Sequence, residues 1–352
     1  PMVFKLSSNA KLDILENSIK SIVDRHEVLR TLIKEDAEGN SYQLVENFSN
    51  DSLEIRRVYV ANKLELDQIL SEEVNHIYDL SNEYPIRVCI YKLRDNSIDK
   101  EQKDIEYYLS IVIHHIAFDG WSIDIFWREL QEFYSFYNSK TEGLAPILNL
   151  SKLPIQYKDF ALWQRNYLIG ERLNKQLKYW EYKLKGYETL NLGIDKPRPE
   201  RINYKGKDIY FELDKDISNN LRRLAKELKV SLYSVLLTGY YLMLRAYSNQ
   251  DDIVIGTPVA NRHYTQLENL IGFFVNSLAL RVQVSSKALL KDFIQKVGDE
   301  VVTAQLYQDL PFERLVEELR VEKDASRHPI FQVVFGVQNF GEELHKDRNG
   351  DV

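Results

Sequence analysis

The chain has 352 residues, of which 44% are hydrophobic and 28% charged; that is enough apolar content for a packed core and, at roughly 100–200 residues per domain, enough length for two domain-sized units. Its 46 basic residues against 53 acidic ones leave a net charge of −7, which argues against the basic platform that a nucleic-acid binder needs. A single cysteine, Cys89, excludes an internal disulfide framework and a Cys-rich zinc site, and no uncharged apolar run reaches the ~18 residues of a membrane-spanning helix.

In chain order, residues 3–6 read as a strand. Leu12, Leu15, Ile19, Ile22 and Val23 recur at helical spacing, predicting a helix over 12–26. A short strand follows at 32–34 and a second helix at 64–77. Residues 85–93 and 105–115, rich in Ile, Val and Tyr, read as strands. A helix is expected over 122–137, with Ser122 as its N-cap. Gly143, Pro146 and Pro154 mark a connector over 141–154, and one long helix is expected over 155–184. Pro197 and Pro199 place a loop at 195–199.

The second half repeats the mixture. Strands are expected at 207–213, 252–259, 273–284 and 330–338, and helices at 217–228, 231–247 and 288–306. The pattern predicts an α/β (α+β) chain of two lobes of related build. Residue 1 is Pro, residues 3–6 already form a strand, and the tail 341–352 is polar. The reading is an excerpt of a longer polypeptide, and with one cysteine and no visible leader the expected setting is cytoplasmic.

Several chemistries lack their motifs. The chain has no GxxxxGK[ST], no GxGxxG, no GxSxG and no HExxH. What stands out is His114-His-Ile-Ala-Phe-Asp-Gly-Trp-Ser122 at the end of the predicted strand. Side chains alternate along a strand, so His115 shares a face with Ile111 and Ile113 while His114 faces the other way. Only one of the two imidazoles points into a given cleft, and strand-to-helix turns are where α/β scaffolds carry sites. Taken singly, a vicinal His pair reads as structural and Asp119 as a turn or ion-pair residue. A His-His-Asp metal site lacks further ligands. Cys89, in an apolar strand, reads as an inert buried thiol.

As a composite, His114-His115-Ile-Ala-Phe-Asp119-Gly120 resembles the HHxxxDG signature of condensation domains of nonribosomal peptide synthetases, relatives of the chloramphenicol acetyltransferase-like acyltransferases. Further segments resemble the family's pattern in order. They are Arg25-His-Glu-Val-Leu-Arg-Thr31 (RHExLRT) and Tyr157-Lys-Asp-Phe-Ala-Leu-Trp163 (YxDYAxW), then Ile271-Gly-Phe-Phe-Val-Asn-Ser-Leu-Ala-Leu-Arg281 (IGxFVNTLxLR), Gln308-Asp-Leu-Pro-Phe-Glu313 (HQDxPFE) and Asp324-Ala-Ser-Arg-His-Pro-Ile-Phe-Gln332 (RDxSRxPLFQ). The likeness covers nearly the whole chain. Tyr307 stands where the pattern has His, and Ser277 where it has Thr. The family's opening SxxQxRxW-type segment and its terminal strand and helix are missing.

The resemblance implies two acetyltransferase-like lobes forming a V-shaped pseudo-dimer with a tunnel between them. The expected division is 1–165, carrying HHxxxDG and cut at its start, and 166–352, cut at its end. It implies amide formation between an upstream carrier-bound acyl or peptidyl thioester and the amine of a downstream carrier-bound aminoacyl thioester. The 4'-phosphopantetheine arms would belong to the upstream donor and downstream acceptor carrier domains, with an adenylation domain adjacent and no cofactor or metal of the chain's own.

Within that frame His115 is the catalytic candidate. Histidine accepts a proton near neutral pH, and an attacking amine with a pKa of about 8 needs help losing its own. His114 is read as supporting the loop. Asp119 is read, by resemblance, as ion-paired with an arginine, Arg30 first and Arg25 or Arg281 next. Gly120 allows a close approach at the turn, Trp121 packs nearby, and Asn276 and Ser122 are possible tunnel-lining residues. The alternatives are an epimerising relative, a non-catalytic recruiting module of the same fold, and a free-standing acyltransferase.

Overall fold

A computed structural model describes residues 2–94, 105–321 and 324–338. The described residues fall into two compact units. As far as they are described, one comprises residues 2–94 and 105–164 with Arg262–Phe274, and the other Arg165–Asn261 with 275–321 and 324–338.

In the first unit, β1 (Met2–Leu6) leads to α1 (Leu12–Arg25), a hairpin of β2 (Thr31–Glu35) and β3 (Ser41–Val45), β4 (Ile55–Val60), α2 (Lys63–Val74), β5 (Ile86–Arg94), β6 (Ile105–Ile113), α3 (Gly120–Thr141) and α4 (Tyr157–Tyr167). A four-stranded sheet runs β1-β6-β5-β4. Strands β1 and β5 lie antiparallel on either side of β6, and β4 runs parallel to β5.

Period-two alternation assigns the two faces of this sheet. Ile86, Val88 and Ile90 of β5 and Leu109 and Ile111 of β6 join Ile19, Ile22 and Val23 of α1 and Phe126 and Leu130 of α3 in one core. Cys89, Tyr91 and Leu93 face the other way and pack with Val60 and with Leu66 of α2. Helices therefore cover both faces, which is why β5 and β6 read as nearly unbroken apolar runs. Each large side chain so buried contributes about 1.5–3 kcal/mol. Cys89 is buried in the same layer, and burial pushes its thiol pKa up, as an unreactive thiol requires.

The second unit contains α5 (Gly170–Leu184), α6 (Lys215–Leu228), α7 (Leu232–Ser248), β7 (Asp252–Val259), β8 (Asn276–Gln283), α8 (Leu290–Gln305) and α9 (Phe312–Glu318). Strands β7 and β8 pair antiparallel from Asp252↔Gln283 to Val259↔Asn276. Trp180, Leu237, Tyr241, Ile253, Ile255, Leu280 and Val297 form its core. Asp214 caps α6 by accepting from the Ile217 amide, and Ser231 caps α7 by accepting from the Ser234 amide.

Several expectations need correction. The helix expected from 155 to 184 is two, α4 and α5, separated at Leu168 and Ile169, and Gly170 takes the left-handed φ of +56° that glycine tolerates. The strand expected at 207–213 has no ladder among the described residues; Ile209, Tyr210 and Phe211 are 88%, 89% and 80% exposed. Alternation alone does not make a strand without a neighbour to pair with.

The strand expected at 330–338 reduces to one parallel bridge, Gly256↔Val334. Ile330 sits at φ +68°, and the Phe331 ring lies so close to Gly256 that a Cβ there would be 2.4 Å from it. The strand expected to reach residue 115 stops at Ile113. Strands β3 and β4 and helix α9 have no counterpart among the predicted elements. The expected cut ends, residue 1 and 341–352, lie outside the described residues.

Candidate functional site

The turn after β6 is built by three backbone bonds. The His114 amide donates to the Pro85 carbonyl at 2.7 Å, the Ala117 amide to the His114 carbonyl at 3.0 Å, and the Phe118 amide to the His115 carbonyl at 3.4 Å. Residues His115–Ala117 form one 3-10 turn, with His114 as its N-cap: Nδ1 of His114 accepts from the Ile116 amide at 3.1 Å. That bond fixes the tautomer, leaving the proton on Nε2. Burial, and secondarily the neighbouring His115, lower the pKa of His114.

The two imidazoles diverge. His114 is half-buried with its ring at 76° to that of Tyr78, centroids 5.4 Å apart. His115 is exposed, and its ring stands perpendicular to that of Phe273, centroids 5.1 Å apart. Neither ring nitrogen of His115 has a hydrogen-bonding partner among the described residues, so both are available to an external donor or acceptor.

Asp119 ends the turn and starts α3. Its carboxylate, not the Ser122 hydroxyl, is the N-cap: Oδ1 accepts from the Ser122 amide at 2.9 Å. The side chain is 2% exposed and its oxygens are fully engaged. Oδ1 also accepts from Nη2 of Arg262 at 2.9 Å, and Oδ2 accepts from the same nitrogen at 3.2 Å and from the Phe274 amide at 3.1 Å.

Arg262 in turn donates through Nη1 to the carbonyls of Leu267 at 2.8 Å and Leu270 at 2.6 Å, and its guanidinium lies 4.2 Å over the Phe274 ring. Burial lowers its pKa, opposed by Asp119.

The partner of Asp119 is therefore Arg262, and the expected partners do other work. Arg30 donates to the carbonyls of Glu46 and Asp24, Arg25 pairs with Glu129 at 3.0 Å, and Arg281 pairs with Asp252 at 2.7 Å. Arg262 escaped sequence reading because it is 143 positions from Asp119. The available signal was an arginine following the apolar strand β7.

Ser122 and Asn276 have no side-chain atoms left over. Ser122 is fully buried, and its hydroxyl sits among Asp119, Arg262 and the Gly272 backbone. The Asn276 amide donates to the carbonyls of Gln308 and Leu310, both at 2.8 Å, and its oxygen accepts from the Phe312 amide at 3.0 Å. Asn276 holds the 308–312 segment in place; it does not present a free group to a ligand. Gly120 is the first residue of α3 and Trp121 follows it, half-buried.

Two other motifs meet the same backbone. Buried His26 lies 2.8 Å from Glu129 and accepts through Nδ1 from the Ile271 amide at 3.3 Å, so its Nε2 proton points at the carboxylate. Burial lowers the His26 pKa, against the pull of Glu129. The Tyr157 hydroxyl donates to the Phe273 carbonyl at 2.8 Å, and burial pushes its pKa up to about 12. The segment from Ile271 to Phe274 is thus gripped by His26, Ser122, Tyr157 and Asp119, and Phe273 presents its ring to His115.

Among the described residues, no group of three or more His, Cys, Asp and Glu side chains could hold a metal. An open cavity of about 570 Å³, lined by Asn17, Lys20, Phe48 and Tyr137 among others, lies against α1 and α3 and includes neither His114 nor His115.

The sequence and fold match known proteins throughout. The family model for the condensation domain matches residues 1–350. The N-(5-amino-5-carboxypentanoyl)-L-cysteinyl-D-valine synthase of Amycolatopsis lactamdurans is 42% identical over 96% of this chain, and the malpinin synthetase of Mortierella alpina is 34% identical over 96%. The chain spans 9% and 4% of the length of those two proteins.

Among solved structures, the X-domain from teicoplanin biosynthesis is similar with a TM-score of 0.81 at 26% identity, over 94% of this chain and 71% of that one. The condensation domain of the monacolin K polyketide synthase MokA is similar with a TM-score of 0.78, over 95% of this chain and 74% of that one; at 21% identity that likeness speaks to the fold alone.

Proposed function

Because the chain belongs to the condensation domain family and has its mixed α/β fold, we propose that it forms an amide between two carrier-tethered substrates. The amine of a downstream aminoacyl thioester attacks the carbonyl carbon of an upstream acyl or peptidyl thioester. A C–N bond forms, the tetrahedral intermediate collapses, the C–S bond breaks, and the amine proton ends on the departing thiolate. Both substrates ride on phosphopantetheine arms of partner carrier domains, and an adenylation domain activates the incoming amino acid. The chain supplies no cofactor of its own.

The observation that carries this reading is the exposed imidazole of His115, with both nitrogens unengaged, on a turn anchored by the buried Asp119–Arg262 pair. A ring so placed can accept the amine proton or hydrogen-bond the intermediate. A positioned general base supplies ~10²–10⁴-fold, and holding two tethered reactants in line supplies several kcal/mol more. Orientation by a rigid turn therefore counts for at least as much as basicity. Among the described residues no helix is long and apolar enough to cross a membrane, and the proposed setting is the cytoplasm.

The test is direct. Upstream and downstream carriers loaded with different aminoacyl thioesters are mixed with the protein, and the downstream carrier is examined by mass spectrometry. Dipeptidyl thioester is expected from the wild type, falling at least 100-fold for His115→Ala. Inverted stereochemistry without a new amide would favour epimerisation. Carrier binding with equal, absent turnover in both proteins would favour a recruiting module.

A further inference from the structure

The exit of β6 is held from a side that none of the family-like motifs occupies. The Tyr78 hydroxyl donates to the Val112 carbonyl at 2.9 Å, two residues before His114, and the Tyr78 ring stands at 76° to the His114 imidazole. On its other side, Tyr78 meets the His76 ring at 5.0 Å and 75°. His76 is anchored in turn: its Nε2 lies 3.0 Å and 3.2 Å from the two oxygens of Glu83, whose carboxylate also accepts from the Asp79 amide at 2.6 Å. The Pro85 carbonyl of the same 76–87 segment receives the His114 amide. One short segment therefore grips the catalytic turn by a carbonyl, a hydroxyl and a ring.

We infer that Tyr78 is a positioning residue for the reaction: by fixing the Val112 carbonyl and the plane of the His114 ring, it holds His114 as the cap of the 3-10 turn and so aims His115 at the substrate. This rests on the reading of His115 above. A core aromatic would be buried and pack on aliphatic groups. Tyr78 is instead half-buried between two imidazoles, and its hydroxyl bonds main chain at the end of β6.

The inference predicts a graded loss in kcat with unchanged KM for both loaded carriers. Tyr78→Phe keeps the ring and is expected to lose about fivefold, and Tyr78→Leu on the order of 100-fold, as misplacement of a reacting group by about an ångström does. Leu66→Ala, on the buried face of α2, serves as a control of comparable or greater thermal destabilisation and is expected to keep wild-type kcat. In ¹⁵N spectra His114 should be a single Nε2–H tautomer in the wild type and a mixture in Tyr78→Leu.

Wild-type kcat in Tyr78→Leu with His115→Ala inactive would overturn this inference alone. An equal loss in Leu66→Ala, or a loss residing in KM, would do the same. Undiminished turnover by His115→Ala would overturn the reading of the site and this inference with it.

Discussion

Asp119 and Arg262 are two opposite charges taken out of water together, with side chains 0% and 4% exposed. Removing either strands the other, which costs about 3–5 kcal/mol for buried pairs. Asp119→Ala is therefore expected to lower unfolding free energy by that amount, and Arg262→Ala by a similar one. The double variant should lose less than the sum, since no charge is left alone. Arg30→Ala, which gives up only bonds to two carbonyls, should cost roughly 1–2 kcal/mol. Urea unfolding followed by tryptophan fluorescence separates these cases.

The same scale yields a pH dependence. His26 is buried with its pKa below the usual 6.5, so the folded state resists protonation that the unfolded state accepts. The stability contributed by neutral His26 is present above pH 6.5 and is lost as pH falls below it. Glu129, which burial pushes up but His26 and Arg25 pull down further, shifts in the same direction at more acid pH. His26→Gln should unfold more readily at pH 7.5 and show a flatter decline between pH 6.5 and 5. A slope equal to that of the wild type would remove His26 from the account.

At the scale of elements, glycines mark where two segments come close enough to exclude a methyl group. A Cβ on Gly256 would lie 2.4 Å from the Phe331 ring, and one on Gly272 would lie 2.5 Å from Tyr157. Gly256→Ala is expected to destabilise by about 1–3 kcal/mol, as overpacked cores do. Phe331→Leu in the same chain should recover part of it, measured as a shift in melting temperature.

The elements also show what could be read in advance. Strands β5 and β6 and helices α1, α7 and α8 were legible because burial imposes a period on their residues. The motif at 114–122 was legible because its spacing belongs to one turn. Strand β4 was hidden by Arg56 and Arg57, whose charges are neutralised by Glu73 and by Glu16 and Asp13 from other elements. The partner of Asp119 and the grip of Tyr78 on Val112 are tertiary facts that no local window contains. The fully engaged Asn276 is the converse: a polar residue in a motif looked like a ligand-facing group, and its bonds are to main chain.

At the scale of the whole molecule, each unit has its own large core, one around Ile19, Phe126 and Ile111 and the other around Trp180, Tyr241 and Ile255. Asp119→Ala perturbs the first and Gly256→Ala the second, and they share no bonding partner. Their costs should add to within roughly 0.5 kcal/mol in the combined variant, and a larger discrepancy would show that the two cores unfold as one.

The first unit is also discontinuous: the chain leaves it at Gln164 and re-enters for Arg262–Phe274. During synthesis at roughly 5–20 residues per second, the aspartate of the histidine turn therefore emerges well before the guanidinium that neutralises it. Until then the nascent amino-terminal portion carries an unmatched charge where its interior should close. A fragment ending at Gln164 would hold Asp119 without its counter-charge, so it should close around the turn less well than a chain that includes Arg262.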